Sequence, residues 1–126
     1  MTLVPGLAAS AEILVAEKDT AATMGSGDVP ALATPRLLAL AEGATVAALA
    51  GHLREHETSV GTRIELEHLR ATGMGGRVIA HAELVHVDGR QLRFTVRAED
   101  AEGRLVGRGE VTRLVVDRER FVSGLD

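Results

Sequence analysis

The amino-acid sequence predicts an α+β fold in which a curved antiparallel sheet wraps around one long apolar helix. Two observations carry that expectation. The stretch from Pro35 to Leu53 is apolar on nearly every side, and after Glu57 the spacing of apolar residues changes to every second position. A third gives the sheet its sense. The strand segments follow one another through short glycine-containing turns, and parallel neighbours would need long crossovers.

From Gly6 to Thr23 the apolar residues are spread among Ala, Ser, Glu and Thr, as in Glu12-Ile13-Leu14-Val15-Ala16, which reads as one or two modest strands. Gly25-Ser26-Gly27-Asp28-Val29-Pro30 is a loop by composition. At Thr34-Pro35 a helix starts. Thr34 supplies a capping hydroxyl, and Pro35 suits the first helical position, where a missing N–H costs nothing. The helix is expected to reach Leu53, about 30 Å at 1.5 Å per residue. Between Arg36 and His52 its only ionisable side chain is Glu42.

Thr62, Ile64, Leu66 and His68 share one face of the next strand, opposite Arg63, Glu65, Glu67 and Leu69. Gly73-Met74-Gly75-Gly76 turns the chain into a strand with Val78, Ala80, Ala82 and Leu84 on one face, and Val87-Asp88-Gly89-Arg90 carries a hairpin signature. Leu92, Phe94, Val96 and Ala98 alternate through the strand after that. A turn at Glu102-Gly103 leads to a last strand from Leu105 to Val116. These readings make a four-strand antiparallel meander, completed by the earlier strands. A helix apolar all round needs more cover than one small sheet provides, so a second copy is expected to complete it as a homodimer. There is no internal repeat, low-complexity tract or heptad seam.

Composition excludes several functions. With 126 residues and a net charge of −4, the chain is expected to be a single domain over 1–126, with 45% apolar residues enough to build a core. No apolar run approaches the roughly 20 residues of a spanning helix, and Met1-Thr2-Leu3-Val4-Pro5 lacks a basic leader, so a cytoplasmic location and no membrane partner are expected. The absence of cysteine removes thiolate metal sites and a cysteine nucleophile. Lys18 is the only lysine, which removes P-loop and Schiff-base chemistry. Phe94 and Phe121 are the only aromatics, so with the acidic balance no nucleic-acid partner is expected. No cofactor is implied.

Three residues invite a chemical reading. A carboxylate in a buried helix must be paired, hydrogen-bonded or protonated, which singles out Glu42; the alternative is that it lies on a narrow solvent-facing stripe beside Thr45. His68 projects from the strand face that should look toward the helix, where the alternative is a core imidazole with its hydrogen bonds satisfied. Together they form an acid–base pair, each the partner the other's burial demands. Thr34 is the helix cap, and its hydroxyl is fixed where the dipole favours developing negative charge.

Other patterns are weaker. His52-Leu53-Arg54-Glu55-His56 matches H-x-x-E-H, but it falls in a charged stretch where the helix ends, so no metal site is expected. Gly73-Met74-Gly75-Gly76 lacks the third glycine and the following helix of a dinucleotide site. His81 and His86 are placed on opposite faces of their strand and cannot share a metal. Arg93 and Arg97 share an outward face, either simply solvated or available to a phosphate.

The order Gly25-Ser26-Gly27-Asp28-Val29-Pro30, Leu32-Ala33-Thr34-Pro35, Glu42, Ser59-Val60-Gly61-Thr62 and Glu67-His68-Leu69-Arg70-Ala71-Thr72 resembles the hot-dog-fold thioesterases related to fluoroacetyl-CoA thioesterase. The likeness runs from about Pro5 to Phe121. It implies a hot-dog dimer that hydrolyses an acyl-CoA thioester, with Thr34, Glu42 and His68 as the catalytic set and the Gly61 backbone touching the substrate. One departure is visible. The fluoroacetyl enzyme carries an aromatic segment before its helix, whereas residues 24–33 here contain none, so the resemblance implies general thioester chemistry and not fluoroacetyl selectivity.

On that reading Glu42 attacks the thioester directly or activates water. His68 orients the water or protonates the departing sulfur, while Thr34 and the Gly61 N–H hold the carbonyl. Two rivals share the fold: a protein that binds an acyl-CoA or small apolar ligand without turnover, and an enoyl-CoA hydratase or dehydratase.

Overall fold

The computed structural model describes residues 3–126; Met1 and Thr2 of the expected domain lie outside the described residues. Strand β1 (Ala8–Leu14) comes first, with Ala9, Ala11 and Ile13 packed against the core and Ser10, Glu12 and Leu14 exposed. Only this one strand forms between Gly6 and Thr23. The chain then turns through a 3-10 segment, Glu17–Asp19, where the buried Asp19 carboxylate accepts the Ala16 N–H at 2.9 Å and the Arg36 Nε–H at 3.0 Å. Thr20 caps the short helix α1 (Ala21–Met24) by accepting from the Thr23 N–H. Acidic and hydroxyl side chains in Glu17-Lys18-Asp19-Thr20 take the backbone donors that a second strand would need.

The long helix, α2 (Thr34–Leu49), has 16 residues and spans about 24 Å. It stops four residues short of Leu53 because the chain leaves through Ala50 into Gly51, whose φ of 79° lies in the left-handed region that glycine tolerates. The tract His52–His56 therefore follows the helix and lies in turns, where the i, i+4 face of a metal motif does not exist. Leu37, Leu40, Ala41, Ala44, Ala48 and Leu49 are buried. On the other side Pro35, Ala39, Gly43, Val46, Ala47 and Ala50 are exposed. The helix is apolar all round but covered on one side.

The remaining strands are β2 (Glu57–His68), β3 (Arg77–Asp88), β4 (Gln91–Asp100) and β5 (Leu105–Asp117), followed by a short helix, α3 (Arg118–Ser123), that Asp117 caps at the Arg120 N–H. All pairings are antiparallel and the order across the sheet is β1-β3-β4-β5-β2. The expected four-strand meander is thus three strands long. β2 does not turn back onto β3 at Gly73–Gly76; it pairs with β5 at the far edge, and residues 69–76 carry the chain across three strand spacings, about 14 Å. Alternation states which face a residue occupies and is silent about which neighbour its strand takes.

The inner face is Val78, Ala80, Ala82 and Leu84 of β3, with Leu92, Phe94, Val96 and Ala98 of β4, all buried against the helix side. A bulge between Leu84 and His86 inserts Val85 and reverses the alternation, so His86 pairs with Arg93 while His81 pairs with Arg97. Both histidines therefore face outward, contrary to the opposite faces expected. They stand four residues apart along β4, about 13 Å, which still denies them a common metal.

Candidate functional site

The four residues singled out in the sequence fall into two clusters. The first lies where α2 begins and β2 ends. Ala33, not Thr34, is the N-cap residue: its carbonyl accepts the Leu37 N–H at 3.0 Å, and no side chain caps the helix. Thr34 occupies the first helical position and Pro35 the second. The Thr34 hydroxyl is exposed and points instead at His68, with Oγ1 2.8 Å from Nδ1. His68 is half-buried, and its Nε2 is buried with no hydrogen-bond partner among the described residues. Burial pushes the imidazole below its ordinary pKa, with the Arg70 backbone opposing the shift, so His68 is neutral at pH 7. A neutral imidazole with its proton on Nε2 accepts the Thr34 hydroxyl at Nδ1, which is the arrangement of a nucleophile and its base. A cleft of about 360 Å³ opens over this pair, lined among others by Ser26, Asp28, Val29 and Arg70.

Glu42 heads the second cluster, two helical turns on and about 12 Å further along α2. Its side chain is 32% exposed, and Oε2 lies 3.4 Å from Nη1 of Arg113, which is itself only 7% exposed. Arg113 also donates from Nε to Ser59 Oγ at 2.9 Å and from Nη2 to the Ser59 carbonyl at 3.0 Å. Burial pushes the guanidinium below its usual pKa, and the Glu42 charge and hydrogen bond act in the opposite sense. Gly61, where β2 is irregular against β5, lies directly beneath the carboxylate: a Cβ there would collide with Glu42 Oε2.

Within one chain Glu42 and His68, the expected acid–base pair, do not meet. Each has its own partner, and no hydrogen bond joins them among the described residues. A carboxylate one-third open to solvent needs only one cation nearby, and β5 provides it. Arg113 and Ser59 were missed in the sequence. The signal was present, because Arg113 stands at an inward position between Val111 and Val115, where the alternation calls for an apolar residue.

The family described as FlK, fluoroacetyl-CoA-specific thioesterase, matches residues 15–119. The fluoroacetyl-CoA thioesterase of Streptantibioticus cattleyicolor is 39% identical over 89 residues, which are 71% of this chain; the match spans 63% of that relative's own length. Among solved structures, a variant of FlK in complex with acetyl-CoA superposes with a TM-score of 0.90 at 29% identity, over 96% of this chain and 95% of that one. A Thermus thermophilus protein described as a thioesterase superfamily member has a TM-score of 0.89 at 24% identity, over 97% and 90% of the two chains, a likeness of fold.

Proposed function

This chain belongs to the FlK family of fluoroacetyl-CoA-specific thioesterases and has the hot-dog fold, and from that premise we propose that it hydrolyses an acyl-CoA thioester to a carboxylic acid and free CoA. The single observation that carries the chemistry is the 2.8 Å hydrogen bond between the Thr34 hydroxyl and His68 at the mouth of a cleft. His68 takes the hydroxyl proton as Thr34 Oγ1 attacks the thioester carbonyl. Collapse of the tetrahedral adduct breaks the C–S bond, and His68 returns the proton to the CoA sulfur. Water, activated by Glu42 of a second copy, then attacks the acyl-Thr34 ester; the acyl–Oγ1 bond breaks, Thr34 Oγ1 takes up the proton that the water gave up, and the acid leaves. The start of α2 favours the negative charge that develops on the oxygen. A solved complex of FlK with acetyl-CoA supports a CoA thioester as the ligand class.

Within one chain Glu42 is about 12 Å from Thr34 along the helix, too far to serve the same carbonyl. A homodimer reconciles the two clusters. The exposed stripe Ala39, Gly43, Val46, Ala47 and the unpaired edge of β2 offer the surface for a second copy, and a twofold axis there brings Glu42 of one copy toward Thr34 and His68 of the other. In that assembly Glu42 activates the water for the second step, and Gly61, lying against it, presents its N–H to the substrate carbonyl. The acyl group is not assigned to fluoroacetyl, since residues 24–33 carry no aromatic side chain.

Thiol release across a panel of acyl-CoA esters tests the proposal. Thr34→Val, which keeps shape and removes the hydroxyl, is expected to lower kcat by about 10²–10⁴, and His68→Gln to do the same. Stabilisation by CoA without thiol release would assign a binding protein instead, and loss of enoyl absorbance without thiol would assign a hydratase.

A further inference from the structure

We infer that Arg113 is the positioning residue of the Glu42 carboxylate, anchored for that task by Ser59; the inference rests on the reading of Glu42 as a substrate-facing group. A guanidinium between Val111 and Val115 on the buried face of β5 is a poor choice for stability, because a well-packed apolar side chain there serves a core as well or better. The way its donors are divided explains the choice. Nε and Nη2 are both spent on one residue, Ser59, whose hydroxyl and carbonyl hold the planar group from the β2 side. With the plane fixed, Nη1 has one direction, and it points at Glu42 Oε2.

The register makes room for the meeting. Gly61 stands opposite Arg113 across β2 and β5, and the missing side chain is the space that the Glu42 carboxylate fills. Only Oε2 of Glu42 is engaged; Oε1 accepts no hydrogen bond among the described residues, on a side chain that is 32% exposed. One oxygen is clamped and the other is presented outward, the posture of a base aimed at a water or substrate. Arg113 from β5 and the Gly61 backbone from β2 are the groups that face this carboxylate, and Thr45 on its own helix bonds only the Glu42 carbonyl.

The test is a kinetic double-mutant cycle in the full chain, read by steady-state thiol release with substrate in excess, where each further turnover requires the hydrolytic second step. Arg113→Met is expected to lower kcat about tenfold or more with KM within about threefold, and Arg113→Lys, which keeps a charge but not the fork on Ser59, to restore part of it. In a Glu42→Gln background the same Arg113→Met change should cost less than about threefold, because the group it positions is already lost. Equal losses in both backgrounds, or a parent-like kcat in Arg113→Met, overturn the inference. If Arg113→Met does not fold, Ser59→Ala, which removes the hydroxyl that holds Nε and leaves the carbonyl contact to Nη2 and the charge, is compared in the same two backgrounds, with a smaller loss in the parent background and none beyond about threefold in Glu42→Gln. Glu42→Gln that retains kcat within about threefold of the parent sinks the reading of Glu42 itself, a result separable from the others.

Discussion

Gly61→Ala is the most direct probe of the Glu42 cluster, because the structure states what the added methyl meets. Its nearest neighbours are Glu42 Oε2, with which it collides, and Arg113 Nη1 and Glu42 Cδ at 3.6 Å; no backbone atom is among them. To reach ordinary carbon–oxygen contact the carboxylate must retreat by roughly 1 Å. The ion pair stands at 3.4 Å, so that retreat takes it past hydrogen-bond range. A reacting group displaced by about 1 Å can lose on the order of 10²-fold in rate. Folding should be spared, since the obstruction is the free end of a side chain and alanine favours a strand by about 0.5–1 kcal/mol over glycine. The expected result is a fall in kcat of about 10–100-fold, with thermal unfolding at or slightly above the parent. Thiol-release kinetics and circular-dichroism melts measure the two. A variant with kcat within about threefold of the parent, or one whose lost activity follows lost structure, would refute the reasoning.

Because His68 must be neutral to accept the Thr34 proton, and burial lowers its pKa, kcat/KM should stay level down to about 6.5, the ordinary imidazole value, and fall only on its acid side. The unfolded chain then binds more protons than the folded one, so this contribution to stability is complete above about 6.5 and declines as the pH drops through that value; pH–rate profiles and urea midpoints check both, and an acid limb above 6.5 contradicts the assignment. The Asp19 carboxylate is held below its usual range, first by the Ala16 N–H and against the opposing effect of burial, with Arg36 adding to the lowering. Its contribution is present above the ordinary carboxylate value and lost as the pH falls through the lowered one, so Asp19→Ala should reduce Tm by about 4 °C or more and blunt the response to acid. Ala47→Glu places a charge on the exposed stripe of α2 and should give a folded monomer without activity, by sedimentation and thiol release; an active dimer would remove that stripe from the interface.

What could be read in advance was whatever depends on local order. Leu92-Phe94-Val96-Ala98 alternates and is buried as alternation requires, and Thr34-Pro35 locates the start of α2 within one residue. What could not be read depends on distant partners. The strand bearing His68 leaves its expected neighbour for β5, and an extra residue at Val85 turns His86 to the other face, because hydrophobic period carries neither sheet order nor bulges. The site followed the same division. Thr34, Glu42, His68 and Gly61 were each visible from residue type and place or from family resemblance, but the match between Glu42 and His68 was inferred from an assumed depth of burial. The actual partner of Glu42 lies 71 residues away, in a strand whose one discordant arginine was the available clue.

The helix begins one residue earlier than its sequence suggests, and this changes what Thr34 is for. With Ala33 carrying the first helical carbonyl and Pro35 having no N–H to offer, the threonine oxygen has no competing suitor in the main chain. A hydroxyl that would ordinarily be consumed in tying off a helix is released to a single correspondent, the imidazole. Stability forgone at the mouth of the helix is thus the source of a side chain with one job.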